Sequence, residues 1–169
     1  MPSAADNVSQ NPFWDFTLRV YGAPGVQAAC LTLQDRFGLD VNLALYCLWC
    51  GAGGPGRLDE TALQAAGAAV QAWQQDVIQA LRAVRNRLKQ PPWSGYAGAP
   101  DLRKQVLAVE LAAEKISQDR LLQLAGTARV PADRAIAAAN LGLYLERSGA
   151  GGASEAMQAV EALLAGAFT

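Results

Sequence analysis

Between Val41 and Cys50 the chain reads Val-Asn-Leu-Ala-Leu-Tyr-Cys-Leu-Trp-Cys, with Asn42 its one strongly polar residue. Wound as an α-helix, such a run points apolar groups in nearly all directions, and it is stable only when other helices enclose it. Ten residues are half of the roughly 20 that a helix needs to cross a bilayer, so the run reads as a core helix and no membrane insertion is expected. Asp40 just before it has the short acceptor side chain that caps a helix start. Whatever the chain folds into must be built around residues 40–50.

The surroundings are helical as well. Ala, Leu, Gln and Gly are prominent and β-branched residues sparse, which favours helix over strand. A chain of 169 residues can bury about two-thirds of its unfolded surface in one core. The expected fold is therefore all-α, a single-domain bundle of six to seven helices over residues 11–166. Residues 1–10 are expected to be disordered, and the packing is least constrained beyond residue 127.

Asn11-Pro12 marks the first helix start, because Asn caps free amides and Pro fits a first turn that needs no donor. That helix runs to about Gly22 with core aromatics, and Asp15 and Arg19 are spaced to pair. Pro24 restarts the chain, and Val26, Cys30, Leu33 and Phe37 continue one face to Gly38, a plausible cap. Glycines between 51 and 56 predict a flexible linker. A long helix over 59–89 then carries an apolar seam at Leu63, Ala66, Val70, Trp73, Val77, Ala80 and Val84. After a loop rich in Pro and Gly, Asp101 is placed to cap a helix over 101–124 with a seam at Leu102, Val106, Val109, Ala113 and Ile116. The two predict an antiparallel hairpin. Pro131 and Ser154 open the last two helices, the first with Ile136, Asn140, Leu143 and Tyr144 near one face.

Several function classes fall away. The chain has no histidine, which removes the usual neutral-pH acid/base, the Ser/His/Asp and Cys/His triads and the His ligands of bundle di-iron sites. Cys47 and Cys50 have Cys-x-x-Cys spacing but close an apolar helix, whereas a redox pair opens one, where the dipole lowers a thiol pKa. With Cys30 they make three free thiols, too few for a four-sulfur metal site and consistent with a reducing cytoplasm. The 51–56 glycines lack the strand and the Lys-Ser/Thr pair of a phosphate loop. Asp35 and Asp40 flank a helix break and do not form a magnesium-binding pair. No catalytic residue, metal set or cofactor motif can be assigned. A net charge of −1, from 14 basic and 15 acidic residues, provides no global field for nucleic acid.

The stretch from Phe13 to Trp49 resembles a family of short proteobacterial proteins carried as a domain of unknown function. The residues that carry the resemblance are Phe13-Trp14-Asp15-Phe16, Leu18, Tyr21, Pro24-Gly25-Val26 and Ala29-Cys30-Leu31. Leu33-Gln34-Asp35, Gly38, Asp40-Val41-Asn42-Leu43 and Leu48-Trp49 continue it, with a weaker echo at Trp73, Leu81-Arg82, Arg85 and Leu88-Lys89. The resemblance implies a bacterial source and no known chemistry.

Two polar features remain. At about 100° per residue, Glu110 falls inside the apolar arc of its helix, near Val106, Ala113 and Ser117, with Glu114 at the edge. A buried carboxylate needs a partner, a raised pKa or a ligand. Hairpin geometry brings Arg82 and Arg85 within its reach, as a structural ion pair or as a polar pocket for a small molecule. Second, Arg82, Arg85, Arg87 and Lys89 lead into Trp93 and Tyr96, a basic and aromatic tip. Trp, Tyr and Arg are the residue types enriched at binding hot spots. The sequence thus favours a non-enzymatic adaptor that binds another protein through the 82–100 tip, while an apolar face left over by the last two helices could take a second copy of the chain. The alternative is a small-molecule-binding bundle with its pocket at Glu110, Arg82 and Arg85.

Overall fold

The computed structural model describes residues 11–169, and the expectation for residues 1–10 lies outside them. Eight α-helices follow in order: α1 (Pro12–Tyr21), α2 (Val26–Phe37), α3 (Val41–Gly51), α4 (Glu60–Trp73), α5 (Gln79–Arg87), α6 (Ala99–Ala125), α7 (Arg134–Arg147) and α8 (Ser154–Ala167). A π-helical turn, Gln74–Ile78, joins α4 to α5 in one continuous rod. The described residues thus make seven rods and no strand, an all-α bundle.

α3 lies at the centre, as its composition demands, with every residue from Asn42 to Gly51 buried. α7 covers it most extensively, and α1, α2, α6 and α8 close the remaining sides. Asp40 caps it by accepting from the amides of Asn42 and Leu43. Asn11 caps α1 in the same way, accepting from Trp14. Phe13, Tyr46 and Trp49 cluster where α1 meets α3, with the Phe13 and Trp49 rings 5.2 Å apart. A buried polar chain then locks three helices in register: Thr17 of α1 donates to Gln118 of α6, whose amide donates to Asn42 of α3 at 2.9 Å.

The glycine segment is a bonded joint, contrary to the flexible linker expected. Gly51 is the last residue of α3, and a Cβ there would lie 2.3 Å from the Ala137 backbone nitrogen, so its bareness lets α7 touch α3. Asn140 of α7 accepts from the Leu58 amide at 2.8 Å and donates to the carbonyls of Cys47 and Gly56. The amides of Val130 and Asp133 bind the carbonyls of Gly54 and Gly51. α7 starts at Arg134 and not near Pro131, since Asp133 caps it. Its buried face is Ala137, Asn140, Leu141, Tyr144 and Leu145, with Ile136 and Leu143 only half buried. α8 packs on α2 through Ala156, Ala159, Leu163 and Leu164, and Gly166 admits Val26 where a Cβ would lie 2.5 Å from its methyl. The residues beyond 127 therefore share the same core.

The hairpin has the expected partners but a different register. The seam of the first arm holds through Leu63, Ala66 and Val70, and then the π-helical turn inserts an extra residue into the repeat. Gln74 and Ile78 are buried where Val77 was expected, Ala80 is exposed and Val84 is 50% exposed. On α6 the buried line is Ala99, Glu110, Ala113, Ser117, Gln118 and Leu121. Leu102, Val109 and Ile116 face outward, because polar residues hold inner positions that a wheel centred on apolar side chains passes over. Asp101 lies in the first turn of α6 and does not cap it; Gly98, at φ +82°, precedes the helix. Asp15 and Arg19 form no ion pair among the described residues, and Arg19 instead lies over the Phe16 ring.

Candidate functional site

The π-helical turn decides what the hairpin presents. By rotating α5 about one residue relative to α4, it turns Arg82 and Arg85 inward toward α6 and leaves Val84 facing out. Trp73 just before it is fixed by donating from its indole nitrogen to the Ala113 carbonyl at 2.9 Å.

Inside the hairpin, Glu110 is 3% exposed and accepts from both arginines. Arg82 donates from Nε to Glu110 at 3.1 Å and from Nη2 to Glu114 at 3.2 Å. Arg85 grips Glu110 through Nε and Nη2, a two-point contact. Burial pushes the Glu110 carboxyl up, but the hydrogen bonds and charges of Arg85 and Arg82 outweigh it and hold it below its ordinary value. Glu114 goes the other way: burial raises it, and Arg82 only partly opposes that while the neighbouring Glu110 charge adds to it. Two carboxylates four residues apart thus differ in acidity because one has two cations and the other shares one. The clefts beside the tip, between α2 and α8, and between α4 and the α2–α3 corner do not have Arg82, Arg85, Glu110 or Glu114 in their walls.

At the outer end, the tip folds back over α5 and α6. Trp93 and Tyr96 meet edge to face, their ring centroids 5.5 Å apart, on either side of the short turn Trp93–Gly95. They stand with Val84, Arg87, Leu88 and Leu102 around an open cleft of about 570 Å³. Trp93 is 42% and Tyr96 59% exposed. Arg87 is in the wall, and Lys89 is exposed beside it but outside the wall. Val84 and Leu102, both expected in the buried seam, face outward and line the cleft, as Leu88 does. Only the π-helical turn, which carries no composition of its own, moves Val84 there.

The three cysteines carry no chemistry of this kind. All are buried and free, and burial pushes the Cys30 and Cys50 thiols up to about 12 and Cys47 well above its ordinary value. Such thiols pack as small apolar groups. No group of three or more metal-ligating side chains occurs among the described residues. Among the described residues no helix is long and apolar enough to cross a membrane.

A family profile described as "Protein of unknown function (DUF2390)" matches residues 12–121. The chain belongs to that family. The DUF2390 match takes in α1 to α5 and most of α6, so the ion-paired hairpin and its aromatic tip both lie within it. The stretch from Phe13 to Trp49 that carries the resemblance lies within it as well. No curated protein and no solved structure matches the chain.

Proposed function

We propose that this DUF2390 protein is a non-enzymatic adaptor of the bacterial cytoplasm that docks another protein at its hairpin tip, residues 82–100. The observation that carries the reading is the apolar cleft of about 570 Å³ with Trp93, Tyr96 and Arg87 in its wall. A partner side chain seated there would gain apolar contact from two aromatic rings and a charge-assisted contact from Arg87, the composition of an interface anchor. The reading of Arg82, Arg85 and Glu110 as a small-molecule pocket receives no comparable support. Those side chains answer one another, and their role here is to hold the two arms of the hairpin in register so that the tip keeps its shape.

The test compares proteins recovered from a lysate of the source organism by the wild type and by a Trp93→Ala, Tyr96→Ala variant. Docking at the tip predicts that specific partners are lost from the variant while its melting temperature is nearly kept. Recovery of the same proteins by both would end the proposal. Repeating the capture at two salt concentrations separates an aromatic-centred contact from nucleic acid, whose binding weakens steeply with salt.

A further inference from the structure

The first arm of the hairpin carries two seams, and the structure uses one of them. Leu63, Ala66, Val70, Trp73, Val77, Ala80 and Val84 alternate steps of three and four, a single apolar stripe along any rod that is α-helical throughout. The π-helical turn breaks that stripe. Its extra residue turns the chain beyond Ile78 by about 100° and shifts it by ~1.5 Å. Arg82 and Arg85 therefore face α6, and α5 has no buried residue.

π-helical turns are rare and are found mostly at functional sites. This one is also poorly satisfied. Among the described residues, Gln74 Oε1 and Ser117 Oγ are the buried side-chain polar atoms left without a hydrogen-bond partner, and an unpaired buried polar atom is costly. Gln74 opens the turn, and Ser117 lies one turn of α6 beyond Ala113, whose carbonyl takes the Trp73 indole.

In a straight rod each residue beyond the turn would take the place its successor holds now. Val77 would replace Ile78, a loss of one methylene group, while Leu81 would replace Arg82 and Val84 would replace Arg85. What opposes the exchange is Glu110. It is 3% exposed and takes its hydrogen bonds from Arg82 and Arg85. With Leu81 and Val84 in their places, its charge would be buried with no partner.

We propose that the charge of Glu110 selects between two registers of the hairpin, with the π-helical turn as the hinge: an apolar residue at position 110 lets the rod straighten and turns Leu81 and Val84 inward. Ala83 would then stand in the tip cleft where Val84 does, and Asn86 where Arg87 does. Glu110 is thus a positioning residue for a cleft whose wall it does not touch. The consequence for docking rests on the reading of that cleft as a docking site; the second register does not.

Thiol labelling with a maleimide reads the register, because the three native cysteines are buried. Val84→Cys replaces a side chain that is 50% exposed and should react readily, as should Asn86→Cys at another exposed position. Adding Glu110→Leu should slow labelling of Val84→Cys at least about tenfold, since the straight rod buries that thiol, and leave Asn86→Cys unchanged. Glu110→Ala, which cannot overpack, should act in the same direction. Removing Asp76, an exposed residue of the turn, takes out the extra residue and keeps every later one where it now stands. With Asp76 removed, Glu110→Leu should no longer protect Val84→Cys. Labelling that neither Glu110 variant slows, or protection that survives removal of Asp76, would overturn the proposal. So would labelling of the native thiols along with the rest, the mark of a chain that unfolds for want of a second register. No partner takes part, so failure here leaves docking at the tip standing, and failure of the Trp93→Ala, Tyr96→Ala capture leaves the two registers standing.

Discussion

The joint between α3 and α7 and the tip of the α5–α6 hairpin are built on opposite principles. At the joint polar groups are paired and backbones touch: Asn140 answers three backbone groups, and Gly51 is bare so that Ala137 can reach it. At the tip, two aromatic rings, Val84 and Leu102 stand part exposed around an open cleft. Burial of a single large apolar side chain stabilises by about 1.5–3 kcal/mol, so four left partly in water represent stabilisation that folding does not collect. The joint is organised for folding and the tip for contact. Substitutions should separate them.

The largest effect is expected from Asn140→Ala. It strands the Leu58 amide and the Gly56 carbonyl inside the core, at about 1–3 kcal/mol for each group left unpaired, and takes a second partner from the helical Cys47 carbonyl. Partial compensation brings the expected loss to about 3–5 kcal/mol, read as a lowered denaturation midpoint. A loss below about 1 kcal/mol, the worth of one ordinary hydrogen bond, would mean that the joint is looser than drawn. Gly51→Ala should follow at about 1–3 kcal/mol, the usual cost of overpacking. Its Cβ meets backbone, which cannot turn aside.

Glu110→Gln stands between the two regions. It leaves two guanidiniums facing an amide, with side chains 15% and 18% exposed. Breaking a buried pair costs about 3–5 kcal/mol, and partial access of water to the arginines should reduce this to about 1–3 kcal/mol. The same cluster makes a signed prediction in pH. Glu110, held low, contributes stability that is present above its unfolded pKa and lost as pH falls through its folded one. Glu114, held high, contributes in the opposite sense: its share is full below its unfolded pKa and lost as pH rises through the folded value. On acidification Glu114 should therefore take up its proton before Glu110. Carboxyl carbon shifts followed by NMR would show the order, and the reverse order would contradict the assignment of both arginines to Glu110.

Which of these features could be read from the chain alone follows from distance along it. Caps at Asn11 and Asp40 were legible because the amides they hold lie two or three residues away. Burial of α3 was legible from its composition, and Glu110 stood out because it is polar inside an apolar arc. The glycine joint was not legible. Its partners Val130, Asp133 and Asn140 are some eighty residues further on, and nothing local distinguishes a bonded glycine segment from a free one. The hairpin register was lost at the π-helical turn, since QQDVI reads as ordinary helix and only the packing of Ile78 and Trp73 reveals the extra residue.

The smallest effect on stability is expected where the effect on binding is expected to be largest. Trp93→Ala with Tyr96→Ala removes side chains already 42% and 59% exposed, lying beyond the ion pairs that hold the hairpin together. Substitutions away from buried features usually stay within about 0.5 kcal/mol, and the loss of the ring-to-ring contact adds roughly 0.5–1.5 kcal/mol at most. The midpoint of unfolding should thus move by less than for Glu110→Gln, while a docked partner loses its anchor. If the double variant instead unfolds as readily as Asn140→Ala, the rings are part of the core and the contrast between joint and tip is wrong. If it folds normally and every partner remains, the tip is exposed without being a docking site.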